Sequence, residues 1–147
     1  MTTAIQFPLV AQVLISYLNE GEPQQVLASV PDVSGNAPVE CVVQSEVPNP
    51  RPPRLIALFT LPTGGAQIGP TLSERRICCQ VYEDSEFVTA QLTEKARGLV
   101  VDSKYRGLGI KRVKVIGEPA RFPGPGVPWR WQFTADVLVR AFAGPWH

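Results

Sequence analysis

The chain has 147 residues, enough to bury a hydrophobic core without disulfide or metal staples. Hydrophobic residues make up 44% and charged residues 18%, which excludes disorder driven by low hydrophobicity and high charge. The net charge is only +1, yet residues 1–50 hold five acids (Glu20, Glu22, Asp32, Glu40, Glu46) and no Lys or Arg, while residues 51–147 hold fourteen bases against eight acids. That split is either ordinary sampling or an acidic face built to meet a basic face of a neighbouring copy, as in a head-to-tail ring.

The first apolar run, Ile5 to Leu18, has no preceding base for a signal-peptide n-region. It also falls short of the roughly 20 apolar residues of a membrane helix. A cytosolic chain with no membrane partner is expected. Within that run, Leu9, Val13 and Tyr17 form one line and Val10, Leu14 and Leu18 the next, so the spacing predicts a well-buried helix over 8–19. Pro8 suits its first turn, and Gly21 with Pro23 reads as its end. Gln24 to Val30 is compatible with a short strand or a turn of helix, and 31–38 is a loop by its turn residues.

Cys41 to Ser45 is predicted as a short strand. After it comes Val47-Pro48-Asn49-Pro50-Arg51-Pro52-Pro53-Arg54, a segment that can be neither helix nor central strand. It reads as a stiff extended connector that presents Arg51 and Arg54. Leu55 to Leu61, nearly all apolar, is predicted as a central strand, followed by a loop that runs from Pro62 to Ser73. Arg75 to Glu83 is the next strand, with Ile77, Cys79 and Val81 inward. Asp84 or Ser85 then caps a helix whose apolar face is Val88, Leu92, Ala96, Leu99 and Val100. Gly98 lies in that pattern as a place where a strand can approach closely. Ile110 to Glu118 is a strand, 119–128 a Pro/Gly-rich loop, and the last strand alternates strictly: Trp129, Trp131, Phe133, Ala135, Val137, Val139 and Ala141 on one face, polar residues with Leu138 on the other. The expected fold is α+β: one domain over 1–147 with a single mixed or antiparallel sheet of four to five strands. Two helices pack on one face of that sheet, and the C-terminal β-hairpin is long.

Candidate chemistry is sparse. The one histidine, His147, ends the chain, so no Ser/His/Asp or Cys/His centre is in view. Cys41, Cys78 and Cys79 lack metal spacing, and adjacent cysteines on a strand point to opposite faces; reduced core thiols are expected, with no metal and no cofactor. Glu83, Asp84 and Glu86 at a helix start read as capping residues. The basic run Lys104, Arg106, Lys111, Arg112, Lys114 has three readings, a solvated face, subunit pairing or DNA binding, and no aromatic interleaves with it. Pro50 and Pro53 satisfy P-x-x-P without the flanking arginine spacing of a proline-domain ligand. Trp129 suits either the core or an interface anchor, and Trp146 is a candidate to dock on a neighbour.

Three pieces carry a resemblance: the segment 47–54 leading into an apolar strand, Ile77-Cys78-Cys79-Gln80-Val81-Tyr82-Glu83-Asp84 leading into a helix, and Trp131 to Arg140 near the end. Together with the N-terminal helix they resemble the tail-terminator (tail-completion) proteins of long-tailed actinobacterial phages. The resemblance implies a non-enzymatic virion protein, made in the host cytoplasm, that forms a hexameric ring. Such a ring caps the head-proximal end of the tail tube, ends tube polymerisation and offers a surface to the head–tail connector, while genomic DNA passes through its bore without being read. Against that pattern, 21–40 reads as an insertion. The implied partners are further copies of the chain, the tail tube protein and a connector or stopper protein. The subunit-contact candidates are Arg51, Arg54, Lys111, Arg112, Lys114, Trp129 and Trp146. Another ring protein of the head–tail joint, a connector or stopper, is the alternative; a small cysteine hydrolase and a monomeric binding module are the rivals from other classes.

Overall fold

The computed structural model describes residues 5–124, 126 and 129–143. Its elements in chain order are β1 (Ile5–Gln6), α1 (Val10–Asn19), α2 (Gly21–Ala28), β2 (Val42–Gln44), β3 (Leu55–Thr60), β4 (Ala66–Ile68), β5 (Leu72–Tyr82), α3 (Glu86–Asp102), a 3-10 turn (Ser103–Tyr105), β6 (Ile110–Arg121), β7 (Trp131–Arg140) and β8 (Phe142–Ala143). The fold is α+β, with one open mixed sheet of six strands in the order β2-β3-β5-β7-β6, and β4 pairing with β5 off that path. Only β2 and β3 run parallel; the other pairs of the sheet are antiparallel. The short strands β1 and β8 pair separately, Gln6 opposite Phe142.

The period-two signal places the sheet. Cross-strand partners share a face, so Ile77, Cys79 and Val81 of β5 stand with Ala135, Phe133 and Trp131 of β7, and with Leu58 and Ile56 of β3. All three helices pack on this face. Val10, Leu14 and Leu18 of α1, Leu27 of α2, and Val88, Leu92, Ala96 and Val100 of α3 join those strand residues in one core cluster. Each of the Val, Leu and Ile side chains among them stabilises the fold by about 1.5–3 kcal/mol relative to leaving it exposed. Thr89 and Thr93 are also buried; their hydroxyls donate to the carbonyls of Ser85 and Thr89, so neither hydroxyl is stranded.

Several expectations change. There are three helices where two were expected, because Gly21 and Pro23 both end α1 and begin α2. Gly21, with φ of 57°, turns the chain, and Pro23 sits in a first turn that has no use for its missing N–H. The stretch expected as an insertion thereby supplies Leu27 and Val30 to the core. One line of α1 is buried, but Leu9 just ahead of the helix is 59% exposed. The loop expected over 62–73 contains β4, closed onto β5 with Gln67 opposite Ser73. Gly98 has only open space where a side chain would begin, so nothing approaches it.

The proline segment departs most from expectation. Because β2 and β3 are parallel, with Val42 opposite Leu55, the chain leaving Gln44 must travel back before re-entering the sheet. Residues 45–54 therefore bend at 45–46, 49–50 and 53–54 instead of running extended. They lack both helix and strand, as their prolines require.

Candidate functional site

The returning segment, the end of β5 and the tip of the β6–β7 hairpin meet at one end of the sheet. They enclose a cleft of about 270 Å³. Arg51 comes from the proline segment, Tyr82, Glu83 and Asp84 from the end of β5, and Trp129 and Arg130 from the hairpin tip, with Gly126 beside them. The sequence reading named Arg51 and Trp129 separately; the fold brings them to one cleft.

Arg51 is held on three sides. Its Nη1 donates to the carbonyls of Pro52 (3.1 Å) and Pro53 (3.4 Å), and its Nη2 to Asp84 Oδ1 at 3.2 Å. Its guanidinium lies 5.8 Å from the Tyr82 ring centre. The hairpin tip repeats this chemistry: Arg121 lies 5.0 Å from the Trp129 ring centre and Arg130 5.4 Å from that of Phe122. Phe122 and Arg130 face each other across the tip through one backbone bond, Phe122 N–H to the Arg130 carbonyl at 2.8 Å, and one side-chain bond, Arg130 Nε to the Phe122 carbonyl at 2.8 Å. Each of three arginine–aromatic pairs thus places at least one member on the cleft, Arg51 and Tyr82 together, Trp129 and Arg130 singly. Phe122 is 52% exposed and Asp84 stands out into solvent.

Arg54 corrects an expectation. It was expected to face another subunit, but it has no exposed surface, and Nε donates to Glu83 Oε2 at 2.8 Å within the same chain. Its Nη1 donates to the Leu27 carbonyl at 3.0 Å, in the last turn of α2, where a cation also meets the negative end of the helix dipole. Glu83 accepts in turn from the Asp84 N–H at 2.7 Å. The pair ties α2, the proline segment and the β5–α3 junction behind the cleft. Glu83 and Asp84 are therefore counterions of Arg54 and Arg51, not caps of α3, whose N-cap Ser85 makes no side-chain capping bond. No spacing in the sequence signals a partnership 29 residues apart.

The remaining candidates lie elsewhere. Lys111, Arg112 and Lys114 sit at the opposite end of the hairpin, on the edge strand β6, and are exposed. Arg112 reaches Glu74 at 3.3 Å. Beside them, on the sheet face away from the helices, Arg76 grips Asp136 through two bonds of 2.9 and 3.2 Å. The Asp136 carboxylate raises the Arg76 guanidinium above its ordinary value. Gln80 Nε2 donates to Gln132 Oε1 at 3.3 Å, and Tyr82 Oη donates to Gln80 Oε1 at 3.0 Å, so this face carries a polar ladder that the alternation of β7 alone only half reveals. Trp131 borders the core, with its indole N–H buried and unpartnered among the described residues. Trp146 and His147 lie outside the described residues.

The three thiols are free and buried, Cys78 and Cys79 on opposite faces of β5. Burial pushes Cys41 up to about 12 and Cys78 up to about 11, and raises Cys79 as well, so all three stay protonated at neutral pH. Among the described residues no group of His, Cys, Asp and Glu is placed to hold a metal ion. No helix among them is long and apolar enough to cross a membrane. No protein-family model matches the chain, and a search of curated proteins finds no match.

Proposed function

We propose that this chain is a non-enzymatic assembly protein, a subunit of a ring that caps the head-proximal end of a phage tail tube and joins it to the head connector. The observation that carries the reading is the cleft lined by Arg51, Tyr82, Trp129 and Arg130. Tyr, Trp and Arg are the residues that dominate binding energy at protein–protein contacts, where their large faces are desolvated and their donors satisfied. Here Arg51 is held by the proline-segment carbonyls and Asp84, and Arg130 by its bonds to Phe122. An unlike patch lies elsewhere on the same chain: Glu40 and Glu46 flank β2, and Glu20 follows Asn19, which is bonded to β2; all three acids are exposed. Unlike patches on one subunit suit the heterologous contacts from which rings are closed. The resemblance of the 47–54, 77–84 and 131–140 pieces to tail terminators supplies the place of such a ring. In this reading Arg51 and Trp129 touch the neighbouring subunit, and the virion is where the protein ends.

The test is assembly mass. Sedimentation velocity and negative-stain imaging of the wild type, alone and with the tail tube protein, should show a closed ring of 16.1 kDa subunits. Arg51→Glu and Trp129→Ala should return it to monomer while keeping the native circular dichroism. A wild type that stays monomeric in both settings, or variants that assemble unchanged, would sink the reading.

A further inference from the structure

The two edges of the sheet differ in a way that bears on what binds there. The outer edge of β2 is sealed from within the chain. Asn19 exchanges two hydrogen bonds with the backbone of Val43, its Nδ2 donating to the carbonyl at 2.8 Å and its Oδ1 accepting from the N–H at 3.2 Å. Gln24 does the same at Cys41, with bonds of 2.8 and 3.0 Å. Each carboxamide takes the place of a peptide group of a further strand, so β2 has no backbone edge left to offer.

The outer edge of β6 has no such cover. Its backbone bonds run to β7, and over 112–116 no described residue bonds its other side. From Arg112 to Val115 it pairs with β7 without interruption, and register shifts bound this stretch on both sides. Within it the side chains alternate by chemistry. Arg112 and Lys114 share the open face with Leu138 and Asp136, while Val113 and Val115 share the helix-covered face with Val137 and Ala135. Lys111 and Lys114 have no ion pair among the described residues, and Val113 packs against the core.

We propose that this edge binds an extended segment of a partner protein in which carboxylates alternate with β-branched apolar residues, adding it as a further strand. Backbone pairing supplies the affinity. Carboxylates at alternate positions fall beside Arg112 and Lys114, within the distance at which cross-strand pairs interact, and the intervening apolar residues continue the row of Val113 and Val115. Neither sheet-end strand of a second copy, β6 or β2, fits as the added strand. Its β6 would set Lys and Arg against Lys and Arg, and its β2 is already sealed by Asn19 and Gln24. The surface lies at the other end of the hairpin from the Arg51–Trp129 cleft and does not depend on ring formation: a chain that never forms a ring can still bind the segment, and a ring can close without it.

The probe is a short synthetic peptide of alternating Glu and Val, titrated into the isotopically labelled full chain at low salt and followed by amide resonances. The expected result is shifts centred on residues 111–116, with slowed amide exchange along the outer edge. The same peptide methylated at the backbone nitrogens that would pair keeps its charge but should lose binding, and an alternating Lys and Val peptide should give no shifts. Arg112→Glu combined with Lys114→Glu should weaken binding roughly tenfold, since two attractive cross-strand pairs become repulsive. Equal binding by the methylated peptide would mean bare electrostatic attraction and would overturn the proposal. So would an absence of shifts, or shifts scattered over all surface bases.

Discussion

Replacing Glu83 by Gln keeps volume and shape while removing one charge from a buried pair, so it tests what Arg54 contributes. Arg54 has no exposed surface and the Glu83 side chain retains 5%. Two donors converge on that carboxylate, Arg54 Nε on Oε2 and the Asp84 N–H on Oε1. A carboxamide has one oxygen, so either Arg54 or the Asp84 N–H must face an NH2 group, and in both orientations the buried guanidinium loses its counter-charge. An uncompensated buried charge of this kind costs about 3–5 kcal/mol, a large share of the 5–15 kcal/mol that holds a domain together. At this chain length that corresponds to a fall in Tm of about 6–20 °C. Urea denaturation followed by circular dichroism reads it, with an unchanged m-value showing that the two end states are the same. Arg54→Met should be destabilising too, through the lost tie to α2. The double variant Arg54→Met with Glu83→Leu should lie nearer the wild type than the sum of its parts by at least ~2 kcal/mol, because it leaves no orphaned charge. Strict additivity, or a loss below ~1 kcal/mol for Glu83→Gln, would refute the claim that the pair acts as a buried unit.

Gly98→Ala should stabilise the protein by about 0.5–1 kcal/mol, since the position is interior to α3 and open space surrounds the new methyl; a lower thermal midpoint would contradict this. The three thiols should react slowly with a thiol reagent near pH 8 in the native state and rapidly in urea; their raised values also mean that the native state holds protons the unfolded chain releases. Stability should therefore be full below about pH 9 and decline as pH rises toward about 11, the value of Cys78, and urea midpoints that stay flat across that range would count against it. Asp32 has the opposite sign: the Asn36 N–H foremost, and that of Ser34, hold its carboxyl below the usual range. Its contribution is present above about pH 4 and fades as pH falls below that, so the stability gap between the wild type and Asp32→Ala should narrow in acid; a constant gap from neutral pH to about pH 3 would exclude the mechanism.

Much of the fold was legible in residue order alone. The lines Val10, Leu14, Leu18 and Val88, Leu92, Ala96, Val100 mark buried helix faces, and Phe133, Ala135, Val137, Val139 mark the inward face of β7. Each signal repeats within a few residues, and the helix or strand period itself decides which side is apolar. Where two elements abut, the local signal misled: Gly21 and Pro23 are stop residues for α1 and start residues for α2, and nothing in their identity separates the two roles. β4 was missed because three exposed residues carry no alternation.

The candidate site was legible only in parts. Composition marked Arg51 and Trp129 as unusual, and nothing near Arg51 in sequence pointed to Tyr82 and Asp84 at the end of β5 or to the Trp129-Arg130 pair at the hairpin tip. By itself the sequence determined which faces are apolar, that 47–54 is neither helix nor central strand, and that Cys78 and Cys79 fall on separate faces. Only the tertiary structure decided which arginine of the proline segment is a surface group. Arg51 and Arg54 stand three positions apart in similar company, yet one lies over Tyr82 at the rim of a cleft and the other is sealed against Glu83 and Leu27. The reason is electrostatic. A charge can be buried only where an opposite charge and spare acceptors already wait, and those partners arrive from distant points in the chain when β3, β5 and α2 pack together.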